Sequence, residues 1–330
     1  MRRPRVKVEG EGFYHVVSRI GGKRFLIDEA EKGILLGMIR AAAAFSGVEL
    51  YTFAIMSNHF HLLVRVPRRR EVSDAELLRR MEALYGRPRF RKVLEKWEKW
   101  EKKDQADRVA EEKFRLRARM YDLSQFCKTF KETYTQDYNR RHENTGTIWE
   151  GRFKSILLEG SFRALMTVAG YVHLNPVRAA MVEAPEASPW TGYGAGCRGE
   201  ALAQEGLVGL VRRVYGAPDA SWARARAACA EVIGGAVPEP EPGPIPAPVQ
   251  PAEDIVETDA RGRPVRAGSL RALLRRRVAG FLHGGALGGE RFLRRVAGCL
   301  PPRVRRRAEG LFDRCTFLGL KAAAGVREAS

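Results

Sequence analysis

The sequence has no long hydrophobic run. No stretch of about 18 consecutive apolar residues occurs anywhere in it, and that length marks a candidate transmembrane helix. The basic start, MRRPRVKVEGEG, is not followed by the apolar segment of a secretory signal. We therefore expect a cytoplasmic protein with no membrane partner.

Cysteine is scarce and widely spaced. The five cysteines are odd in number and contain no CxxC pair, which argues against a disulfide framework and against a structural zinc cage. We expect reduced thiols at Cys127, Cys197, Cys229, Cys299 and Cys315.

Acidic residues are outnumbered by basic ones. The 58 lysines and arginines against 39 aspartates and glutamates give a net charge of +19. Such an excess favours a polyanionic partner, because each cation placed on a phosphate backbone releases counterions. Ribosomal, membrane-surface and DNA-processing proteins share this property, so charge alone does not separate them.

The N-terminal part predicts a strand, a helix and a hairpin. Residues 12–20 and 48–66 are rich in β-branched and aromatic residues, and the second stretch breaks at Ser57 and Asn58. Between them, residues 28–46 carry apolar residues at helical spacing.

A charged insertion follows. Of the 52 residues from 68 to 119, 29 are charged and only a thin apolar stripe remains, which predicts a solvated helical hairpin. Residues 121–140 return to a helical pattern, and a further helix over 161–174 begins with Ser161 as its N-cap.

A proline-rich segment divides the chain. Residues 237–251 hold seven prolines, which favour an extended linker. Beyond it, residues 261–330 hold 17 basic and 4 acidic residues, 17 − 4 = +13, and two short helices are expected at 271–282 and 304–312. The predicted segments are a first domain, a helical connector, the linker and a basic helical module, at 1–198, 199–236, 237–258 and 259–330.

Two histidines lie two residues apart on the predicted hairpin. Side chains alternate along a strand, so His59 and His61 share one face with Leu63, while Phe60 and Leu62 occupy the other. Neighbouring imidazoles of this kind can hold a divalent metal. The alternative is a pair of half-exposed strand histidines without a metal.

The helix over 161–174 carries a tyrosine away from its apolar stripe. At about 100° per residue, the stripe includes His173, which we interpret as structural, but excludes Tyr171. Asn175 follows by four residues and shares a face with Tyr171. A phenol attacks poorly unless its target phosphate is polarised, for example by a metal. A tyrosine is most often a packing residue, but its position off the apolar stripe makes Tyr171 a candidate nucleophile.

The sequence resembles the HUH single-tyrosine transposases, specifically the REP-associated tyrosine transposases. The matching stretches occur in the family's order over about residues 10–196. They are FYHVVSRI, AIMSNHFHLLVRV, TGTIWEGRFKSILLE, YVHLNPVRAAMV and SPWTGYGAG.

The resemblance implies an α+β fold: a ferredoxin-like antiparallel sheet with packed helices, extended here by the charged helical insertion and a basic, mainly helical C-terminal part. It implies that His59 and His61 bind Mg²⁺ or Mn²⁺, that Asn175 is the third ligand and that Tyr171 is the nucleophile. The family cuts single-stranded DNA near hairpins of palindromic repeats and leaves a 5′-phosphotyrosine link.

Several residues are expected to contact DNA. The turn with Trp149, Arg152, Phe153 and Lys154 mixes aromatic rings and cations, the combination that stacks bases and follows a single strand; its alternative is an ordinary turn with solvated cations. Arg178 is a further candidate. The basic tail either holds DNA near the active site or is a solvated extension.

Three functional hypotheses remain open. The main one is a metal-dependent enzyme, nucleoid-associated and monomeric or homodimeric, that cuts and rejoins single-stranded or hairpin DNA through Tyr171. The second is a nucleic-acid-binding protein that keeps the scaffold without cleavage. The third is a metal phosphoesterase that activates water, although no general base is evident.

Overall fold

A computed structural model describes the protein at residues 8, 10–234, 257–258, 264–265, 286–288, 292, 296, 316–317 and 320–323. Within these residues no helix is long and apolar enough to cross a membrane.

Four strands form the antiparallel centre of the fold. They are β1 (Gly12–Arg19), β2 (Glu49–Ile55), β3 (His59–Val66) and β4 (Lys154–Leu158), arranged in the order β2-β3-β1-β4. Helix α1 (Glu29–Ser46) connects β1 to β2, and α4 (Leu123–Arg141) precedes β4. This is a ferredoxin-like arrangement, and it confirms the predicted α+β class and the predicted opening of strand, helix and hairpin.

The sheet has an apolar core on each face. Phe60, Leu62 and Val64 of β3 join the core under α1 and α4, whereas Leu63 joins the core on the opposite face. This alternation agrees with the period of two expected for a strand. The two faces of β3 therefore pack into different cores, and the histidines lie on the face of Leu63.

The charged insertion folds as two helices. They are α2 (Asp74–Glu101), kinked at Gly86, and α3 (Ala106–Ala118). Their apolar stripe packs into a small core of its own that includes Leu77, Trp97 and Leu116 and reaches Phe45 of α1. The predicted helical hairpin is confirmed, with its charged residues on the outside.

The second face of the sheet is covered by helices that follow β4. Ser161 caps the first of them, Phe162–His173, through its hydroxyl, as predicted. The helices are α5 (Phe162–His173), α6 (Asn175–Arg178), α7 (Gly192–Cys197), α8 (Ala201–Tyr215) and α9 (Trp222–Ile233). Helix α8 crosses β2 closely because Gly206 has no side chain: a Cβ atom there would lie 2.6 Å from the Leu50 carbonyl oxygen.

The described part of the tail contains short strands. They are β5 (Glu257–Thr258), β6 (Pro264–Val265), β7 (Ala286–Gly288), β8 (Thr316–Phe317) and β9 (Leu320–Ala323). Strand β7 pairs in parallel with β4 and so extends the sheet, a role that the sequence did not predict. The helices expected at 271–282 and 304–312 lie outside the described residues, as does the proline-rich segment 237–251.

A buried carboxylate ties α1 to α4. Glu31 accepts hydrogen bonds from the Tyr134 hydroxyl at 2.8 Å and from Arg141 at 3.0 Å, and it contacts His142 at 2.8 Å. Burial alone would raise the pKa of Glu31, but the bonds from Arg141, His142 and Tyr134 outweigh it and lower the pKa from 4.5 to about 2.

We predict that Glu31→Gln destabilises the protein at neutral pH and not in strong acid. Because the folded-state pKa is lowered, the stabilisation by Glu31 is complete above pH 4.5 and is lost as the pH falls towards 2. Urea denaturation should give a loss of roughly 3 kcal/mol at pH 7, shrinking towards zero near the folded-state pKa. Glu132→Gln, on the exposed side of α4, is the control; an equal, pH-independent loss in both variants would contradict the prediction.

Candidate active site

The two strand histidines lie side by side beneath α5. Register places His61 opposite Val17 of β1 and His59 opposite Arg19. The imidazole rings are 5.1 Å apart between centroids and nearly perpendicular, at 78°. His61 is fully buried, whereas His59 is half-buried, so the pair runs from the interior towards the surface.

Asn58 fixes the tautomer of His59. The amide nitrogen of Asn58 donates to the Lys23 carbonyl oxygen at 3.1 Å, and its amide oxygen lies 2.7 Å from Nδ1 of His59. Since that oxygen only accepts, Nδ1 of His59 must donate. In the neutral ring, Nε2 is then the unprotonated nitrogen, which is the form that binds metals.

His61 is held by a third histidine that the sequence analysis did not single out. Nε2 of His15 lies 3.0 Å from Nδ1 of His61, and the two rings stack at 15° with centroids 5.2 Å apart. Burial lowers the pKa of His61 well below its usual value, and the neighbouring histidines, Arg178 and Arg19 lower it further. His61 is therefore neutral at physiological pH.

Tyr171 lies against both buried histidines. Its ring centroid is 5.8 Å from that of His15 and 5.8 Å from that of His61, in edge-to-face geometry. The expectation that Tyr171 lies off the core is wrong, since only 2% of the residue is exposed. The sequence argument assumed one solvated face, but α5 is enclosed by the sheet on one side and by α8 and α9 on the other.

Two polar side chains close the C-terminal end of α5. The Arg178 guanidinium carbon lies 4.1 Å from the Tyr171 ring centroid, and a guanidinium nitrogen donates to the Tyr171 carbonyl oxygen at 2.5 Å. The amide nitrogen of Asn175 donates to the carbonyl oxygens of Tyr171 and Val172 at 3.0 and 3.3 Å. Asn175 thus caps the helix, and its role as a metal ligand stays a prediction.

His173 is structural, as expected. It is fully buried, its Nε2 lies 2.7 Å from the Thr52 hydroxyl, and its ring stacks near Tyr193. Burial lowers its pKa to about 3. His173 therefore faces the core beneath β2.

The turn before β4 requires a correction. Trp149 and Phe153 are only 6% and 7% exposed, so they are not available to stack on bases. The Trp149 indole donates to the Thr135 hydroxyl at 2.9 Å, and its ring packs edge-on against Phe60. Arg152 and Lys154 are exposed. At this turn only these two residues are still predicted to contact DNA.

The donor set fits a divalent metal with open coordination positions. His59 and His61 are adjacent and His61 is neutral, and each ring has a polar partner on Nδ1 that orients it. No group of three or more histidine, cysteine, aspartate or glutamate residues suited to a metal occurs within the described ranges. The candidate metal ligands among the described residues are therefore the imidazoles of His59 and His61, with the amide of Asn175.

Comparison with known proteins agrees with the motifs. Residues 11–106 match the family model "Transposase IS200 like". The matched part includes His15, His59 and His61 and ends before Tyr171.

A solved structure of a REP-associated tyrosine transposase bound to a REP hairpin is similar over 59% of this chain and 84% of that chain. The sequence identity is 11% and the TM-score is 0.36, a value too low to establish a shared fold. Among curated proteins, none matches this sequence.

We predict that Trp149→Ala lowers the stability of the fold and has no direct effect on DNA binding. Removing a buried tryptophan costs about 3–5 kcal/mol, whereas Arg152→Gln and Lys154→Gln should change stability by no more than about 0.5 kcal/mol. Chemical denaturation and oligonucleotide binding on each variant test this. A stable Trp149→Ala protein with impaired DNA binding would restore the base-stacking role.

Proposed function

We propose that the protein cuts and rejoins single-stranded DNA, with Tyr171 as nucleophile and a divalent metal at His59 and His61. The observation that carries the proposal is the contact of the Tyr171 ring with His61 and His15, at 5.8 Å between centroids. One chain contributes His15, His61 and Tyr171 to this contact.

The metal site would consist of Nε2 of His59 and of His61, with Asn175 as the third ligand implied by the family resemblance. Mg²⁺ or Mn²⁺ bound there would supply the Lewis acid that polarises the scissile phosphate. To serve as that ligand, the Asn175 side chain must offer its amide oxygen, while its amide nitrogen caps α5.

The reaction transfers one backbone phosphate of the DNA from a 3′ oxygen to Tyr171. The phenolic oxygen of Tyr171 forms a bond to phosphorus and releases its proton to water, while the bond from phosphorus to the 3′ oxygen breaks and that oxygen takes up a proton. The products are a 5′-phosphotyrosine link and a free 3′-hydroxyl. Attack by a 3′-hydroxyl on the link reverses the step, because the link conserves the energy of the broken bond.

His15 orients the site without touching the DNA. A proton on Nδ1 of His61, donated to Nε2 of His15, leaves Nε2 of His61 as the nitrogen that would bind the metal. The stacking of the two rings also prevents His61 from rotating. We therefore assign His15 as a positioning residue.

Substrate access requires a movement near Arg178. Tyr171 is buried, and the Arg178 guanidinium covers its ring. A phosphate entering beside His59 offers Arg178 a stronger partner than a tyrosine ring and a carbonyl oxygen. Arg178 then binds the DNA backbone, as the sequence analysis expected, and uncovers the phenol.

The substrate class follows from charge and from the family resemblance. The excess of basic residues favours a nucleic acid, and the family acts near hairpins formed by palindromic repeats. Hairpin DNA with a flanking single strand is therefore the proposed substrate. The second candidate, a nucleic-acid-binding protein without cleavage, would use the same surface and differ only in the chemistry of Tyr171.

We predict that Tyr171→Phe abolishes a denaturant-resistant protein–DNA adduct. Wild-type protein incubated with labelled hairpin DNA and Mn²⁺ should give the adduct, and Tyr171→Phe should give none, because only the nucleophilic oxygen is lost. Tyr51→Phe is the matched control, since Tyr51 is also buried in the core on this face, and it should keep the adduct.

Two other outcomes would contradict the proposal. Binding without any adduct in the wild type would support the non-catalytic hypothesis. Cleavage that persists in Tyr171→Phe would support a phosphoesterase that uses water.

We predict that His15→Leu weakens Mn²⁺ binding by about 10- to 100-fold, the usual cost of losing a partner of a metal-bound histidine. His15→Gln, which places a polar atom near the position of Nε2, should recover part of the affinity. Calorimetric titration of the DNA-free protein measures this directly. His173→Gln is the control, and equal Mn²⁺ affinity in all variants would refute the role of His15.

A further inference from the structure

The most exposed large apolar side chain in the described residues is Phe25, at 79%. It follows Lys23 and Arg24, which are also exposed, in the loop between β1 and α1. Phe114 on α3 of the insertion is nearly as exposed, at 72%, and lies in a different part of the molecule. The loop at Phe25 differs because it contacts the turn that carries His59.

Three hydrogen bonds attach this loop to that turn. The Ile20 amide donates to the Asn58 carbonyl oxygen at 2.8 Å, and the Ile27 amide donates to the Ser57 carbonyl oxygen at 3.0 Å. Between them, the Asn58 side chain donates to the Lys23 carbonyl oxygen at 3.1 Å. The same Asn58 side chain holds His59, so a single residue positions both the loop and a metal-site histidine.

The backbone at the tip of the loop is strained. Gly22 and Lys23 have φ values of 66° and 57°, and the second is unfavourable for a residue with a side chain. Strain of this kind persists only where surrounding contacts enforce it, and it is frequent at ligand sites. Here the contacts with Ser57 and Asn58 hold a conformation that leaves Phe25 in solvent.

The charges near Phe25 favour an anion. Arg19 of β1 lies opposite His59 in the sheet and adds a third cation on the side of the histidines. The acidic residues that follow are engaged: Asp28 caps α1 by accepting from the Glu31 amide, and Glu29 pairs with Lys32 at 2.5 Å. Arg24 donates to the Gly21 carbonyl oxygen at 3.3 Å, and a charged phosphate is a stronger partner than that carbonyl.

We propose that Lys23, Arg24 and Phe25 form a subsite for single-stranded DNA beside the metal-site histidines. Phe25 stacks on one unpaired base next to the cleavage site, and the two cations bind the adjoining phosphates. Aromatic rings and cations in combination bind single strands with little sequence preference. The substrate class rests on the proposed function, but the residues and their role are independent of the cleavage chemistry.

The test measures binding of the full-length protein to a fluorescent single-stranded oligonucleotide of mixed sequence, with EDTA present to prevent cleavage. Phe25→Ala should bind about tenfold more weakly, equivalent to about 1.4 kcal/mol. Phe25→Trp should bind at least as well as the wild type and show quenched fluorescence on DNA binding. Phe114→Ala is the matched control and should bind like the wild type.

The cations have a separate readout. The variant with Lys23→Gln and Arg24→Gln should lower the slope of log affinity against log salt by about 1.4, since each phosphate contact on a single strand contributes about 0.7. Thermal unfolding of every variant verifies that the fold is intact, because these side chains are exposed.

The proposal is overturned if Phe25→Ala binds like the wild type, or if Phe25→Leu retains full affinity, because leucine keeps the apolar surface but cannot stack. It is also overturned if Phe25→Ala changes only the oligomeric state measured by light scattering, which would assign the patch to a second copy of the chain. Adduct formation is measured separately. Phe25-dependent binding without any adduct would reject the proposed function alone, whereas an adduct with Phe25-independent binding would reject this inference alone.

Discussion

The register of β1 against β3 is the constraint on which the site depends. Val17 lies opposite His61, so His15 reaches His61 diagonally from the same face, and α5 lays Tyr171 across both rings. A slip by one residue would turn the strand's side chains to the opposite face. The apolar residues that alternate with these histidines are buried under α1 and α4, which makes such a slip costly. The core on one side of the sheet therefore fixes the chemistry on the other.

The same packing creates a tension between burial and reaction. Burial keeps His61 neutral, which suits a metal ligand, but it also encloses Tyr171, which in the proposed reaction must reach a phosphate. The half-buried guanidinium of Arg178 lies over the Tyr171 ring. A phosphate can compete for that cation. The opening that DNA requires would then involve exchange of one arginine's partner, with the helices left in place.

Local patterns in the sequence predicted the local features. Alternation along β3 gave the shared face of His59 and His61, and the Ser161 hydroxyl begins α5 as the N-cap pattern indicates. The burial of Tyr171 and of Trp149 was not predictable, because it depends on helices and turns distant in the chain. His15 was missed for the same reason. A single histidine in an apolar strand has no local signal, and its role appears only when the strand register brings it to His61.

A crystal structure of the protein with Mn²⁺, using the anomalous signal of the metal, is the most direct test of the proposed site. We expect one strong peak bonded to Nε2 of His59 and Nε2 of His61, with the Tyr171 hydroxyl facing the metal and His15 behind His61. A peak bound elsewhere, or a tyrosine hydroxyl directed away from the histidine pair in the metal-bound protein, would contradict it.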